Sequence, residues 1–201
     1  GNTANDQVGQ TVIALSNGNY VVGSQYWSNN KGAATWGNGS TGTTGIISST
    51  NSLVGTITGD QVGYYLTALT NGNYVVSSPA WNNTRGAATW GNGITGITGT
   101  ISSVNSLIGL NYLDYVGSGR VTALSNGNYA VNSYTWGNSC CTGALGAVTW
   151  GNGSIGTTGS ISSNNSLVGS INGDSVGYGG VTALKDGNYV VFSPMWNYDI
   201  G

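Results

Sequence analysis

The sequence predicts an all-β protein made of tandem copies of one unit of about 54 residues. Three observations predict it. A set of short motifs returns in a fixed order along the chain. Each unit offers four short runs rich in β-branched and apolar residues. No window carries sustained helical periodicity.

The motifs set the period. Gly-Asn-Tyr-Val-Val starts at Gly18, Gly72 and Gly187 and appears as Gly-Asn-Tyr-Ala-Val at Gly127, in steps of 54, 55 and 60 residues. Thr-Trp-Gly-Asn-Gly starts at Thr35, Thr89 and Thr149, and Asn-Ser-Leu-Val/Ile-Gly at Asn51, Asn105 and Asn165. Asp-x-Val-Gly begins at Asp6, Asp60, Asp114 and Asp174. Chain 1–201 is therefore read as a single repeat domain, with units at approximately 1–54, 55–108, 109–168 and an incomplete 169–201. The longer third step comes from extra residues between Trp136 and Gly146, including Cys140 and Cys141. An insertion that leaves its neighbours in register reads as a surface loop. The chain starts and stops inside a repeat, so a longer parent array is expected.

Taken in order, the first strand is exemplified by Val121-Thr122-Ala123-Leu124. Ser-Asn-Gly-Asn or a close variant follows, and Asn and Gly tolerate the positive φ of a tight hairpin. The second strand is Tyr74-Val75-Val76-Ser77. A loop ending at Trp81 leads to the third, Ala87-Ala88-Thr89-Trp90, which Gly91-Asn92-Gly93 stops. A Gly/Thr/Ser stretch leads to the fourth, Ser106-Leu107-Ile108. Four short antiparallel strands in a unit of this length predict a β-propeller-like blade. The alternative is a β-solenoid, which Gly/Asn/Thr-rich sequence also suits. The hairpin favours the propeller, because solenoid coils pair in parallel. Closure speaks the other way, since the first two strands occur four times and the last two only three.

Composition narrows the function. Charged residues make up 5% of the chain, the net charge is -2, and there is no His. Lys31, Arg85, Arg120 and Lys185 are too few and too scattered to neutralise a run of phosphates, so nucleic acid is not an expected partner. Neither is an anionic membrane surface, and no apolar span reaches membrane length. Imidazole catalysis and imidazole metal sites are excluded. Seven Trp and 12 Tyr point to a folded chain rather than a disordered one. No enzyme activity, metal or cofactor is expected.

Thr-Ala-Asn-Asp-Gln-Val-Gly, Val-Thr-Ala-Leu-Ser-Asn-Gly-Asn-Tyr-Val-Val, Gly-Ala-Ala-Thr-Trp-Gly-Asn-Gly and Asn-Ser-Leu-Val-Gly together resemble the repeat of very large secreted bacterial exoproteins. These are of the filamentous-haemagglutinin-like or adhesin-like kind. The second motif is also similar to the opening hairpin of kelch-like bacterial propeller blades. The resemblance spans essentially the whole chain. It implies secretion, an extracellular or bacterial cell-surface setting, and an adhesive or structural role; it supplies no ligand and no functional residues.

Several residue sets carry two readings. Asp6, Asp60, Asp114 and Asp174 recur once per unit, either as a repeated cation or sugar site or as turn residues accepting backbone N–H groups. One acid per unit is meagre for calcium, which favours the turn. Trp36, Trp90 and Trp150 lie within the third strand and are expected to hold unit to unit. Trp27, Trp81, Trp136 and Trp196 lie in loops beside amides. There they either stack on a pyranose ring, with Asn29, Asn30, Asn82, Asn83, Asn138 and Asn197 bonding its hydroxyls, or plug the space between units. Tyr20, Tyr74, Tyr129 and Tyr189 open the second strand and are expected to pack. Cys140 and Cys141 form either a vicinal disulfide or two free thiols; an adjacent pair is no zinc signature.

Asp186 and Asp199, the acids outside the recurring set, do not form the carboxylate pair of a glycosidase. The functions expected are therefore a structural or adhesive module of a secreted or surface protein, a multivalent lectin, or a self-assembling extracellular filament subunit. The partners expected are surface glycans or further copies of the chain, as a homo-oligomer or longer array.

Overall fold

The computed structural model describes residues 1, 3–137 and 143–199. Unit 1 contributes β1 (Thr11–Ala14), β2 (Tyr20–Ser24), β3 (Ala33–Gly37) and β4 (Leu53–Val54). Unit 2 contributes β5 (Tyr65–Ala68), β6 (Tyr74–Ser78), β7 (Ala87–Gly91), β8 (Gly99–Thr100) and β9 (Ser106–Ile108). Unit 3 contributes β10 (Val121–Ala123), β11 (Tyr129–Ser133), β12 (Ala147–Gly151), β13 (Gly159–Ser160) and β14 (Ser166–Val168). Unit 4 contributes the hairpin β15 (Gly180–Ala183) and β16 (Tyr189–Phe192). The all-β repeat expected from the motifs is what the chain forms.

Each of the first three units is an antiparallel meander, β1-β2-β3-β4, β5-β6-β7-β9 and β10-β11-β12-β14. One feature departs from the expected blade. β8 of unit 2 adds in parallel to β4 of unit 1, and β13 of unit 3 adds in parallel to β9 of unit 2. The Gly/Thr/Ser stretch before the fourth strand thus lends an edge strand to the preceding unit. Parallel bridges Gly32↔Val62, Gly86↔Val116 and Gly146↔Val176 repeat the link. Among the described residues no sheet closes on itself, so the propeller expectation holds for the strand plan of a unit and not for a closed ring.

The hairpin glycines explain why these residues turn. Gly18, Gly72, Gly127 and Gly187 all sit at φ between 86 and 88, where a Cβ is disfavoured. The Asn or Asp before each glycine accepts the backbone N–H two residues on, as in Asn71 Oδ1 from Asn73 N at 3.1 Å. This is the Asx turn that makes Asn a hairpin residue.

Sheets stack face to back. Strand alternation puts Val21, Ala34 and Leu53 on one face of unit 1, and they form a single core with Tyr74, Val76, Trp81 and Ala87 from the opposite face of unit 2. The same faces meet at the next junction, Val75, Ala88 and Leu107 against Tyr129, Val131 and Ala147. Ala130 and Val148 repeat it against Val176, Val181 and Val191. Every residue of β6 and β11 is buried, because both faces are covered.

Candidate functional site

The repeated site is the junction between units. Trp36 Nε1, Asn17 Nδ2 and Asn19 Nδ2 of unit 1 all donate to the Gly93 carbonyl of unit 2, at 3.0, 2.9 and 2.9 Å. Trp90 Nε1, Asn71 Nδ2 and Asn73 Nδ2 converge in the same way on Gly153 of unit 3, at 3.0, 2.8 and 2.8 Å. Gly96 and Gly156 leave room for the clamp, since a Cβ there would lie 2.7 and 2.9 Å from Cβ of Trp36 and Trp90. Among the described residues no glycine carbonyl takes the indole of Trp150, which is 43% exposed. Trp36 and Trp90 therefore hold unit to unit, as their place in the sequence suggests, and Trp150 does not.

The second-strand tyrosines pack, as expected. Tyr20, Tyr74 and Tyr129 each lie over the glycine that ends the neighbouring third strand, and a Cβ on Gly91 would meet the Tyr74 ring at 2.2 Å. The Tyr74 hydroxyl accepts from Ile97 N at 3.2 Å and that of Tyr129 from Thr157 N at 3.1 Å. Burial pushes both phenols up to about 12.

The recurring aspartates are turn residues. Asp60 Oδ2 accepts Thr56 N and Ile57 N, and Oδ1 accepts Asn82 N from the tryptophan loop, all at 2.9 Å. Asp114 accepts Leu110 N, Asn111 N and Gly137 N, and Asp174 accepts Ser170 N, Ile171 N and Asn197 N. Asp6 binds Thr3 and Ser28 N in the same fashion. The four are buried and tie the turn to the loop that precedes the third strand. Burial raises the Asp174 carboxyl, and its N–H donors outweigh that to hold it below the ordinary value. Among the described residues no group of three His, Cys, Asp or Glu gathers as a metal site.

The loop tryptophans divide between the junctions and the surface. Trp81 is 9% exposed and lies in the core between units 1 and 2. Trp136 packs against the core between units 2 and 3. Trp27 is half-buried, with its Nε1 shut off from solvent and unbonded, and Trp196 is 39% exposed at the half unit. The amides have a backbone reason to be there. Ser28, Asn29 and Asn30 have φ of 51, 59 and 61, and Asn82, Asn83 and Thr84 have 49, 56 and 62. Each loop is thus a left-handed turn, the conformation Asn tolerates best after Gly. Asn197 repeats it with φ 51. Asn29 and Asn30 line a shallow cavity with Ala4, Asn5, Tyr26 and Thr58, and Trp27 is not part of it. Asn138, Cys140 and Cys141 lie outside the described residues.

The concave surface that the motifs did not announce lies on the flank of the stack. Gln61, Tyr64, Tyr65, Tyr115, Ser118 and Tyr134 border a cavity of about 310 Å³. Tyr64 and Tyr65 are shared with a second cavity of about 480 Å³, which Gln10, Gln25 and Arg120 also line. Tyr64 and Tyr65 meet edge to face at 4.5 Å between centroids, and the Arg120 guanidinium sits 4.6 Å from the Tyr65 ring centre. Tyr134 and Tyr178 form a second edge-to-face pair at 5.6 Å. The proximity of the Tyr65 hydroxyl raises the Tyr64 phenol.

No curated protein matches the chain. A family match covers residues 14–64, 68–118, 123–178 and 183–200, and it does not tie the chain to filamentous haemagglutinins or adhesins. The first three segments carry the same second, third and fourth strands and the same clamp residues, and the last carries β16 and the turn after it. The chain belongs to the family described as Repeat of unknown function (DUF5650).

Proposed function

We propose that the chain is a structural and adhesive repeat module of a secreted or cell-surface bacterial protein. The stack is the scaffold in this reading, and the flanks between loops are the surface it presents. The observation that carries it is the junction repeated between units 1 and 2 and between units 2 and 3, in which the same three donors meet the same carbonyl. Nearest-neighbour contacts of this kind build length from local parts. The extracellular setting is supported by the resemblance of the motifs to secreted exoprotein repeats.

Display of residues 1–201 on a non-adherent bacterial cell tests it. Adherence to a glycoprotein-coated surface that disappears in a Trp36→Ala/Trp90→Ala variant supports a module working through its stacked fold. Absence of adherence sinks the adhesive half of the reading. Adherence lost in Trp81→Ala with the fold retained would move the site to the loop tryptophans, as a lectin.

A filament subunit is the second reading, because among the described residues β16 pairs with β15 alone. Two features weigh against it. The third strands β3, β7 and β12 are each paired on both sides, so a second copy has none to spare. The forward face of unit 4 also carries Lys185, Asp186 and Phe192 where units 1 to 3 carry Ser or Thr, Asn, and Gly, Ser or Asn. Asp186 has no N–H to give an acceptor carbonyl. Where Phe192 stands, unit 1 has Gly23, and a Cβ there would clash with the Gly63 carbonyl of the next unit at 2.6 Å. A monomer in dilute solution is the expected result of light scattering after size exclusion, and a concentration-dependent polymer would restore the filament.

A further inference from the structure

We propose that the tyrosine-lined flank binds an acidic oligosaccharide, with Arg120 taking the sugar carboxylate. This rests on the adhesive reading and names its ligand class. The two adjoining cavities, about 310 and 480 Å³, are within the size range of small-molecule sites. Their shared wall, Tyr64 and Tyr65, offers aromatic surface on which the C–H face of a sugar ring stacks. Gln10, Gln25 and Gln61 add neutral amides that both donate to and accept from hydroxyls.

Arg120 sets the charge of the ligand. It is the one charged residue in the lining of either cavity. Among the described residues its guanidinium has no ion pair and no hydrogen bond, only the face of Tyr65 at 4.6 Å. A stacked, unpaired guanidinium keeps its N–H fork free for a carboxylate. The backbone argues the same way. Arg120 has φ 73, and the corresponding residue of unit 4 is Gly180, at φ 105. A glycine would serve the turn with less strain, so the arginine is held against its backbone preference beside the cavity. One cation cannot track a polyphosphate, which leaves nucleic acid aside.

Isothermal titration of the purified chain tests the proposal with paired probes, trigalacturonate against neutral galactotriose and 3′-sialyllactose against lactose. At least one acidic member is expected to bind about tenfold or more tighter than its neutral counterpart. Arg120→Gly is expected to remove that advantage while leaving the thermal midpoint unchanged or higher, and Tyr65→Ala is expected to weaken acidic and neutral sugars alike. Should Arg120→Gly fail to fold, added salt must weaken wild-type binding of the acidic sugar and spare the neutral one. Equal binding of the pair, no binding of either acidic sugar, full binding by folded Arg120→Gly, or equally tight binding of an oligo-aspartate peptide would overturn the proposal. Adherent display cells whose protein binds neither acidic sugar would leave the module reading standing and this one refuted.

Discussion

Trp90 and Trp150 occupy the same place in successive units and meet opposite fates, which makes them a controlled comparison. Trp90 donates to the Gly153 carbonyl at 3.0 Å, whereas Trp150 is 43% exposed and no glycine carbonyl among the described residues takes its indole. Phenylalanine at either position keeps an aromatic face and removes the indole N–H. At residue 90 the carbonyl retains Asn71 and Asn73 as donors, so no acceptor is orphaned. The loss is then one net hydrogen bond, about 0.5–1.5 kcal/mol. Roughly 20 Å² of covered apolar surface goes with it, about 0.5 kcal/mol. Trp90→Phe should therefore cost about 1–2 kcal/mol, and Trp150→Phe about 0–0.5 kcal/mol, as for a surface change. Urea unfolding followed by far-ultraviolet circular dichroism measures both, with the slope checked for constancy. Equal costs, or a larger cost at Trp150, would refute the claim that the clamp carries the junction.

Three further outcomes follow from the same geometry. Tyr74 and Tyr129, raised to about 12 by burial, give stability that is complete below the unfolded value near pH 10 and lost as pH climbs from there towards 12. Ultraviolet phenolate titration should show these two ionising last, and early ionisation of all twelve tyrosines would contradict their burial. Asp174 titrates below its ordinary value, so its contribution is present above about pH 4 and fades as pH falls through the folded value. The stability gap between wild type and Asp174→Asn should narrow on acidification, and a gap that widens would invert the sign. Gly151→Ala would drive a Cβ to 2.1 Å from the Tyr129 ring, costing about 1–3 kcal/mol by overpacking; a thermal midpoint equal to wild type would show the ring free to move.

What was legible in the sequence was local. Ser106–Ile108 is the fourth strand of unit 2 as read, and the second and third strands begin at Tyr74 and Ala87 as expected, each running one residue further. Hairpin chemistry and strand alternation are written in adjacent residues, so the meander could be read one unit at a time. The parallel strands β8 and β13 could not, because their partners lie in the preceding unit. Asn82 and Asn83 carry a role the sequence did not single out. An amide beside a tryptophan suggests a ligand, yet these two serve a left-handed backbone. The tyrosine flank is not written in the repeat, because it is built from residues that do not recur. Gln61, Tyr115 and Arg120 have no matching triplet in every unit, and departure from the repeat was the available signal.

That distinction separates scaffold from surface. The recurring residues that build the junctions face inward: Trp36 and Trp90, the tyrosine over its glycine, and the aspartate under its loop. In a chain with 5% charged residues, neutral amide and indole donors do the work that ion pairs do elsewhere, and they do it without the desolvation cost of buried charge. Such a junction is indifferent to salt, so charge on the flank can vary without loosening the stack. Arg120 is free to differ from Thr11, Tyr65 and Gly180 at the corresponding places because nothing in the junction depends on it.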